Sequence, residues 1–159
     1  LRSGNKFLAA ITLILDLIKG YIPVTLVQTF YPEHFQISAV MAFMGHVFPV
    51  WLKFKGGKGV ATYLGILFAF SLQLSFLFIF TWISVSLIFK YSSLSSMFAT
   101  LTVFVVNGIK EIAKPALLQI THEIPNITFL LFFFLILIIF THRKNIINLK
   151  NKKEKKIKI

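Results

Sequence analysis

Cysteine is absent from this chain of 159 residues, and only five residues are Asp or Glu. Without thiols there is no disulfide framework, no cysteine-ligated metal site, no sulfur anchor for a flavin or an iron–sulfur cluster, and no cysteine nucleophile. Charge is scarce as well, at 14% of residues against about 25% in an ordinary soluble domain. What fills the chain is apolar: 57% of it is hydrophobic, with 19 Phe, in runs too long and continuous for one small core. Lipid is the solvent that suits most of this chain.

The few acids are outnumbered by 17 Lys and Arg, for a net charge of +12. On a soluble protein that excess would suggest nucleic acid, but the distribution argues otherwise. Most of the basic residues stand in short polar stretches between or after apolar runs: Arg2 and Lys6, then Lys53, Lys55 and Lys58, then Lys90, then the stretch from Arg143 to Lys158. Cytoplasmic loops of membrane proteins have this pattern. The terminal run NLKNKKEKKIKI has no interleaved aromatics, so it reads as a solvated or headgroup-contacting tail and not as a nucleic-acid binder. The first residue is Leu, and no signal peptide precedes the first apolar run; the expectation is an unusual start or a lost beginning.

Residues 7–23, continuing toward 27, are expected as the first membrane helix and residues 35–51 as the second, with Pro32, Glu33 and His34 in the turn. Because about 20 apolar residues cross a bilayer, residues 60–89 are either one tilted helix or two short ones broken near Ser71 and Gln73. Two spans there, followed by residues 93–107 and 127–140, put every lysine-rich stretch on one side and the charge-balanced loop 108–123 on the other. The expected fold is therefore an all-α polytopic membrane protein, a bundle of about six transmembrane helices with both ends cytoplasmic and short re-entrant-like motif loops. Residues 1–141 form the transmembrane domain, and residues 142–159 a cytoplasmic third motif and basic tail. Asp16 and Lys19, three apart inside the first span, share a helix face; they read either as a structural ion pair or as a polar wall near a charged substrate.

The stretch GHVFPVWLKFKGGKGVAT, residues 45–62, carries the clearest chemistry. Glycines let backbone N–H groups approach an anion, a following helix start adds its positive dipole end, and lysines add point charges. The expected ligand is a phosphate. A nucleotide P-loop is excluded, because Gly57-Lys58 is followed by Gly59 where Ser or Thr is required. Taken alone, the stretch also fits a flexible cytoplasmic loop. Two further polar clusters, YSSLSSMF at 91–98 and THRKNIINL at 141–149, are expected on the same side. Serines near a helix start are usually caps, and a His-Arg pair at a membrane exit is usually an anchor; three clusters on one face describe a site for an anionic substrate.

With these residues in view, the chain resembles the acyl-phosphate:glycerol-3-phosphate acyltransferases of bacterial inner membranes, the PlsY type. GHVFPVWLKFKGGKGVAT is similar to that family's second motif almost residue for residue. HRKNIINLKNKKEK is similar to its third, a HRxNIxRL run followed by a glycine and a glutamate, with Asn151 near the glycine's place and Glu154 as the candidate glutamate. Asp16, Lys19 and Gly20 resemble its DxxKG arrangement. The resemblance implies transfer of a fatty acyl group from acyl phosphate to glycerol 3-phosphate, giving lysophosphatidate and phosphate, in the inner membrane. It implies that Gly56, Gly57 and Gly59 cradle a substrate phosphate with Lys58, Lys55 and Lys53. It also implies catalytic roles for His142, Asn145, Ser96 of the SLxS cluster and Lys58, and substrate phosphate binding by Arg2, which matches the arginine ending the first motif. The rest of that first motif, a GSGNxGATN run, would stand upstream of Leu1, and Ser3-Gly4-Asn5 is only a look-alike; reduced or lost activity of this chain is the expectation.

No metal and no cofactor is assigned, the partners are the two substrates and membrane lipids, and no nucleic acid is expected. The oligomeric state is not readable. Since no His-x4-Asp pair exists, the good leaving group of an acyl phosphate, helped by positioning and charge neutralisation, is expected to carry the reaction. The attacking hydroxyl would pass its proton to a substrate phosphate in preference to His142. The alternatives are a small transporter for an organic anion, for which the internal repeats such folds use are missing, and an inactive truncated remnant.

Overall fold

A computed structural model of the chain describes residues 6–113 and 127–157, and the regular structure among them is helical. Arg2 and residues 114–123 of the expected outer loop lie outside the described residues. The order is α1 (Lys6–Phe30), a 3-10 turn (Pro32–His34), α2 (Phe35–Val47), a second 3-10 turn (Val50–Leu52), α3 (Val60–Phe70), α4 (Leu72–Phe89), α5 (Ser92–Ala113), α6 (Thr128–Thr141) and α7 (Arg143–Lys150). The chain divides into two compact units, Leu1–Ser75 and Phe76–Ile159.

Local chemistry explains the breaks. α2 stops at Val47 because Phe48 precedes Pro49, and a residue before proline is held out of the helical region; its φ and ψ are −123° and 56°. The stretch expected as the second span is thus a helix to Val47 followed by a separate turn, Val50–Leu52. Between α3 and α4 Ser71 alone is extended, with φ −165° and ψ 120°. Its hydroxyl accepts the Leu74 N–H at 3.4 Å, and its carbonyl accepts the Ser75 hydroxyl at 2.9 Å. α5 runs on through Gly108 to Ala113, so residues 108–113 are helix where a loop was expected. A methyl added at Gly108 would meet the Thr128 methyl at 3.9 Å, and Ile109 and Ile112 continue the apolar surface.

Among the described residues, α1, the stretch Pro32–Leu52, α4 and α5 are each long and apolar enough to cross a membrane. α6 and α7, bent by 58° at their junction, make a fifth if they count as one span. Among the described residues the expected count of about six is not confirmed, since α3 has 11 residues and rises about 16 Å, roughly half a hydrocarbon core. Leu13, Ile14, Phe76, Phe80, Ile88 and Phe129 all point outward, as they do when the solvent is lipid.

In the first unit α1 packs chiefly on α3 and then on α2. A methyl on Gly20 would strike the Thr62 carbonyl, with the Ile66 nitrogen 3.1 Å away; a methyl on Gly65 would strike the Leu17 carbonyl, with the Tyr21 nitrogen 3.0 Å away. Each helix thus offers a glycine to the other's backbone, an approach that any larger residue prevents. Val24, Phe43, Tyr63, Ile66 and Leu67 are fully buried in this unit. In the second unit α5 packs on α6. The Asn107 amide donates to the Thr128 hydroxyl at 2.9 Å, and the Trp82 indole N–H donates to the Ser96 hydroxyl at 3.1 Å.

Gly20 and Gly45 make a controlled comparison, because an added methyl at Gly45 would meet nothing within 4 Å. Gly45→Ala should stabilise by up to about 1 kcal/mol through helix propensity, while Gly20→Ala should cost about 1–3 kcal/mol through overpacking. Thermal unfolding in detergent reads the difference; equal Tm values in the two variants would remove the crossing from the account of stability.

Candidate active site

The glycine-lysine loop is built from the end of α2 outward. A helix C-terminus leaves carbonyls without intrahelical donors, and here two of them are taken by the loop: Gly56 N–H donates to the Val47 carbonyl at 3.2 Å and Gly57 N–H to the His46 carbonyl at 3.3 Å. Side chains are excluded at both positions. A methyl on Gly56 would press on the His46 and Val47 carbonyls and on Pro49 Cδ, and one on Gly57 would collide with the His46 imidazole. These two N–H groups are thus spent on α2, where the expectation was that they face a phosphate. Lys53 and Phe54, with φ of 50° and 61°, hold left-handed conformations that non-glycine residues rarely take, and they turn the loop back on itself.

Gly59 has a different task. Its φ is 82°, and a methyl there would enter the Phe43 ring. It caps α3, whose first intrahelical bond runs from Tyr63 N–H to the Gly59 carbonyl at 2.8 Å. The N–H groups of Val60, Ala61 and Thr62 precede that bond and have no intrahelical acceptor. These donors of the first turn of α3 stand with exposed Lys58 immediately before them and the helix dipole behind. Lys53 and Lys55 are exposed on the same loop.

Beside the loop lies an acid-base cluster that the motifs did not announce. Asp16 Oδ1 is 2.9 Å from Lys19 Nζ and 3.4 Å from His46 Nδ1. The Asp16 and His46 side chains are 19% and 11% exposed, while Lys19 is 59% exposed. Lys19 thus reaches outward and the imidazole stays inside. Sequence reasoning paired Asp16 with Lys19 but passed over His46, whose partner sits on another helix; the Asp at helical spacing before the close-packed Gly20 was the available signal.

In the second unit the third motif closes on α5. His142 is 1% exposed and sits at the bend between α6 and α7. Its Nδ1 lies 2.8 Å from the Ile138 carbonyl; a carbonyl only accepts, so Nδ1 carries the proton and, in the neutral ring, Nε2 holds the lone pair. Glu154 Oε1 accepts from Asn145 Nδ2 at 2.6 Å and from the Ser93 hydroxyl at 2.8 Å. The tail beyond α7 is no free solvated arm: the Ile157 N–H donates to the Lys90 carbonyl at 2.7 Å, and Lys156 lies 5.9 Å from the Tyr91 ring centre.

Ser96 stands apart from Asn145 and Glu154 in role. It is 3% exposed, donates to the Ser92 carbonyl at 2.9 Å and accepts from Trp82. Ser93, which sequence reasoning did not single out within its cluster, is the serine that reaches the third motif.

Glu154→Ala would leave the Asn145 amide and the Ser93 hydroxyl without their acceptor, at about 1.5–3 kcal/mol for each bond to a charged group. The tail should then come off α5. Trypsin cleavage at Lys152, Lys153, Lys155 and Lys156 should accelerate severalfold relative to cleavage at Lys58 in the same sample; an unchanged ratio would show that Glu154 does not hold the tail.

Comparison with known proteins bears on the family. The family described as glycerol-3-phosphate acyltransferase matches residues 1–152. A glycerol-3-phosphate acyltransferase of Pelagibacter ubique (strain HTCC1062) is 47% identical over 159 residues, covering 100% of this chain and 76% of that protein. One from Wolbachia pipientis wMel is 43% identical over 158 residues, 98% of this chain and 76% of the relative. The crystal structure of PlsY, an integral membrane glycerol 3-phosphate acyltransferase in its glycerol 3-phosphate form, superposes with a TM-score of 0.85 at 29% identity, over 99% of this chain and 74% of that one. The lysophosphatidic acid form gives 0.84 at 30% identity, over 98% and 75%. The lysine-bearing start of α3, the buried third-motif histidine and these matches have one reading: the chain is a multi-pass membrane acyltransferase and belongs to the glycerol-3-phosphate acyltransferase family.

Proposed function

We propose that the chain transfers a fatty acyl group from acyl phosphate to the 1-hydroxyl of sn-glycerol 3-phosphate, at the cytoplasmic face of a bacterial inner membrane. The observation that carries the reading is the start of α3, where Lys58 and three backbone donors without intrahelical acceptors meet the helix dipole. The two crystal forms of the solved relative, named for glycerol 3-phosphate and lysophosphatidic acid, support the acceptor and the product. The distribution of Lys and Arg supports cytoplasmic ends and a cytoplasmic third motif and tail.

The substrate hydroxyl oxygen attacks the acyl carbonyl carbon, the new ester C–O bond forms, and the bond to the phosphate oxygen breaks with its electron pair leaving on phosphate. The hydroxyl proton goes to that phosphate. No protein base is required; positioning and charge neutralisation supply the rate. Lys58, Gly59 and the first turn of α3 are assigned to a substrate phosphate, Lys53 and Lys55 to its approach, and Gly56 and Gly57 to the shape of the loop. His142 and Asn145 are assigned to substrate holding, with Arg2 as a further cation by the resemblance. Ser96 is assigned to holding Trp82 and not to the substrate.

Whatever its rate, turnover by membranes carrying the chain should form lysophosphatidate from acyl phosphate and glycerol 3-phosphate and not from an acyl thioester; the reverse donor preference overturns the proposal. Lys58→Ala should raise KM for the substrate whose phosphate it holds by roughly tenfold. Because the chain has no cysteine, single-cysteine labelling reads its topology directly. A membrane-impermeant thiol reagent should label Ala113→Cys, at the end of α5, in whole cells and Lys156→Cys only in inverted vesicles; labelling of Lys156→Cys in whole cells rejects the cytoplasmic tail.

A further inference from the structure

The charge cluster on α1 reaches the end of α2 through His46, and that contact gives it a task. His46 stands on the last turn of α2, with its ring between two elements. On the Nδ1 side is the Asp16 carboxylate of α1, 3.4 Å away. On the other side the ring edge lies against the α-carbon of Gly57, close enough that an added methyl would collide with Nε2 and come within 3.0 Å of Cε1 and 3.3 Å of Cδ2. The backbone of the same histidine accepts the Gly57 N–H at 3.3 Å. Gly57 is thus gripped twice by one residue, and Lys58 is the next residue in the chain.

We propose that Asp16 and His46 are positioning residues for the phosphate-binding loop: Asp16 fixes the imidazole, and the imidazole edge fixes Gly57, so that Lys58 and the first turn of α3 keep their spacing. The carboxylate selects the tautomer with the proton on Nδ1, because that nitrogen faces an acceptor. It also sets the ring plane, which a lone histidine at a helix end would leave to rotate. Asp16 is itself anchored, since it lies one turn before Gly20, the point at which α1 is pressed onto α3. The link therefore runs from α1 through His46 to the loop, while the α3 end of the same loop is tied to α1 by the glycine crossing. Lys19, mostly exposed, lies 2.9 Å from the carboxylate and balances its charge.

The kinetic part of the test rests on the acyl-transfer reading; the exchange part does not, so the two can fail separately. Amide hydrogen exchange in detergent should show the Gly56 and Gly57 N–H groups exchanging at least tenfold faster in Asp16→Ala and in His46→Ala, with residues 62–67 of α3 as protected as in the unmodified chain. Asp16→Asn, whose amide oxygen still accepts from Nδ1–H, should restore most of the protection, and Lys19→Met should leave it unchanged. In turnover assays Asp16→Ala should raise KM for glycerol 3-phosphate or acyl phosphate roughly tenfold, the loss expected for one charge-assisted hydrogen bond, with kcat altered less. The Asp16→Ala/His46→Ala double variant should be no worse than His46→Ala alone. Unchanged exchange at Gly56 and Gly57 overturns the proposal, as do parallel loosening of residues 62–67, additive effects in the double variant, or a Lys19→Met variant that matches Asp16→Ala.

Discussion

The contact of α1 with α3 at Gly20 and Gly65 is a meeting of two backbones, and the geometry of the first unit depends on it. Lipid gives helices no hydrophobic reason to associate, so closeness has to come from packing. Glycines placed reciprocally allow it: Thr62 and Ile66 on one side, Leu17 and Tyr21 on the other. Asp16, Gly20 and Val24 are spaced by one turn each and so share a face of α1. Pressing Gly20 onto α3 therefore fixes where Asp16 stands, and the start of α3 is held to the same frame.

Polar side chains in such a solvent need partners inside the chain. Many find them on their own helix: Ser95 donates to the Tyr91 carbonyl, Ser96 to Ser92 and Thr100 to Ser96. This local bonding explains why a serine cluster that looks like a substrate-facing patch is largely occupied. Ser93 differs because its hydroxyl leaves the helix to reach Glu154. The one carboxylate of the third motif consequently decides which of the neighbouring serines belongs with Asn145.

Much of this was legible beforehand, and the boundary between what was and what was not is physical. Long apolar runs announce membrane helices because composition alone sets their solvent, and the break at Ser71 followed from a polar residue between two runs. The family followed from the length of the second motif. The span count was less legible, since a run of 11 helical residues and one of 18 differ only in where backbone dihedrals change. Gly108 read as a loop signal, yet a helix tolerates one glycine when Ile109 and Ile112 carry its surface forward. Roles of individual glycines were hidden because a sequence does not say what an added methyl would hit: Gly56 and Gly57 meet the end of α2, while Gly59 meets Phe43. His46 was hidden for the same reason, its partner being on a different helix.

The position of Glu154 also bears on the order in which the chain is made. Contacts of α1 with α2 and α3 involve only residues up to Phe70, so they can form while later helices are still in the ribosome. Ser93 and Glu154 are separated by 61 positions. Until Glu154 emerges, Ser93 and Asn145 lack the acceptor they share in the finished protein, and a nascent α5 has to tolerate a polar start without it. Synthesis therefore delivers the loop's scaffold early and the third motif's latch late.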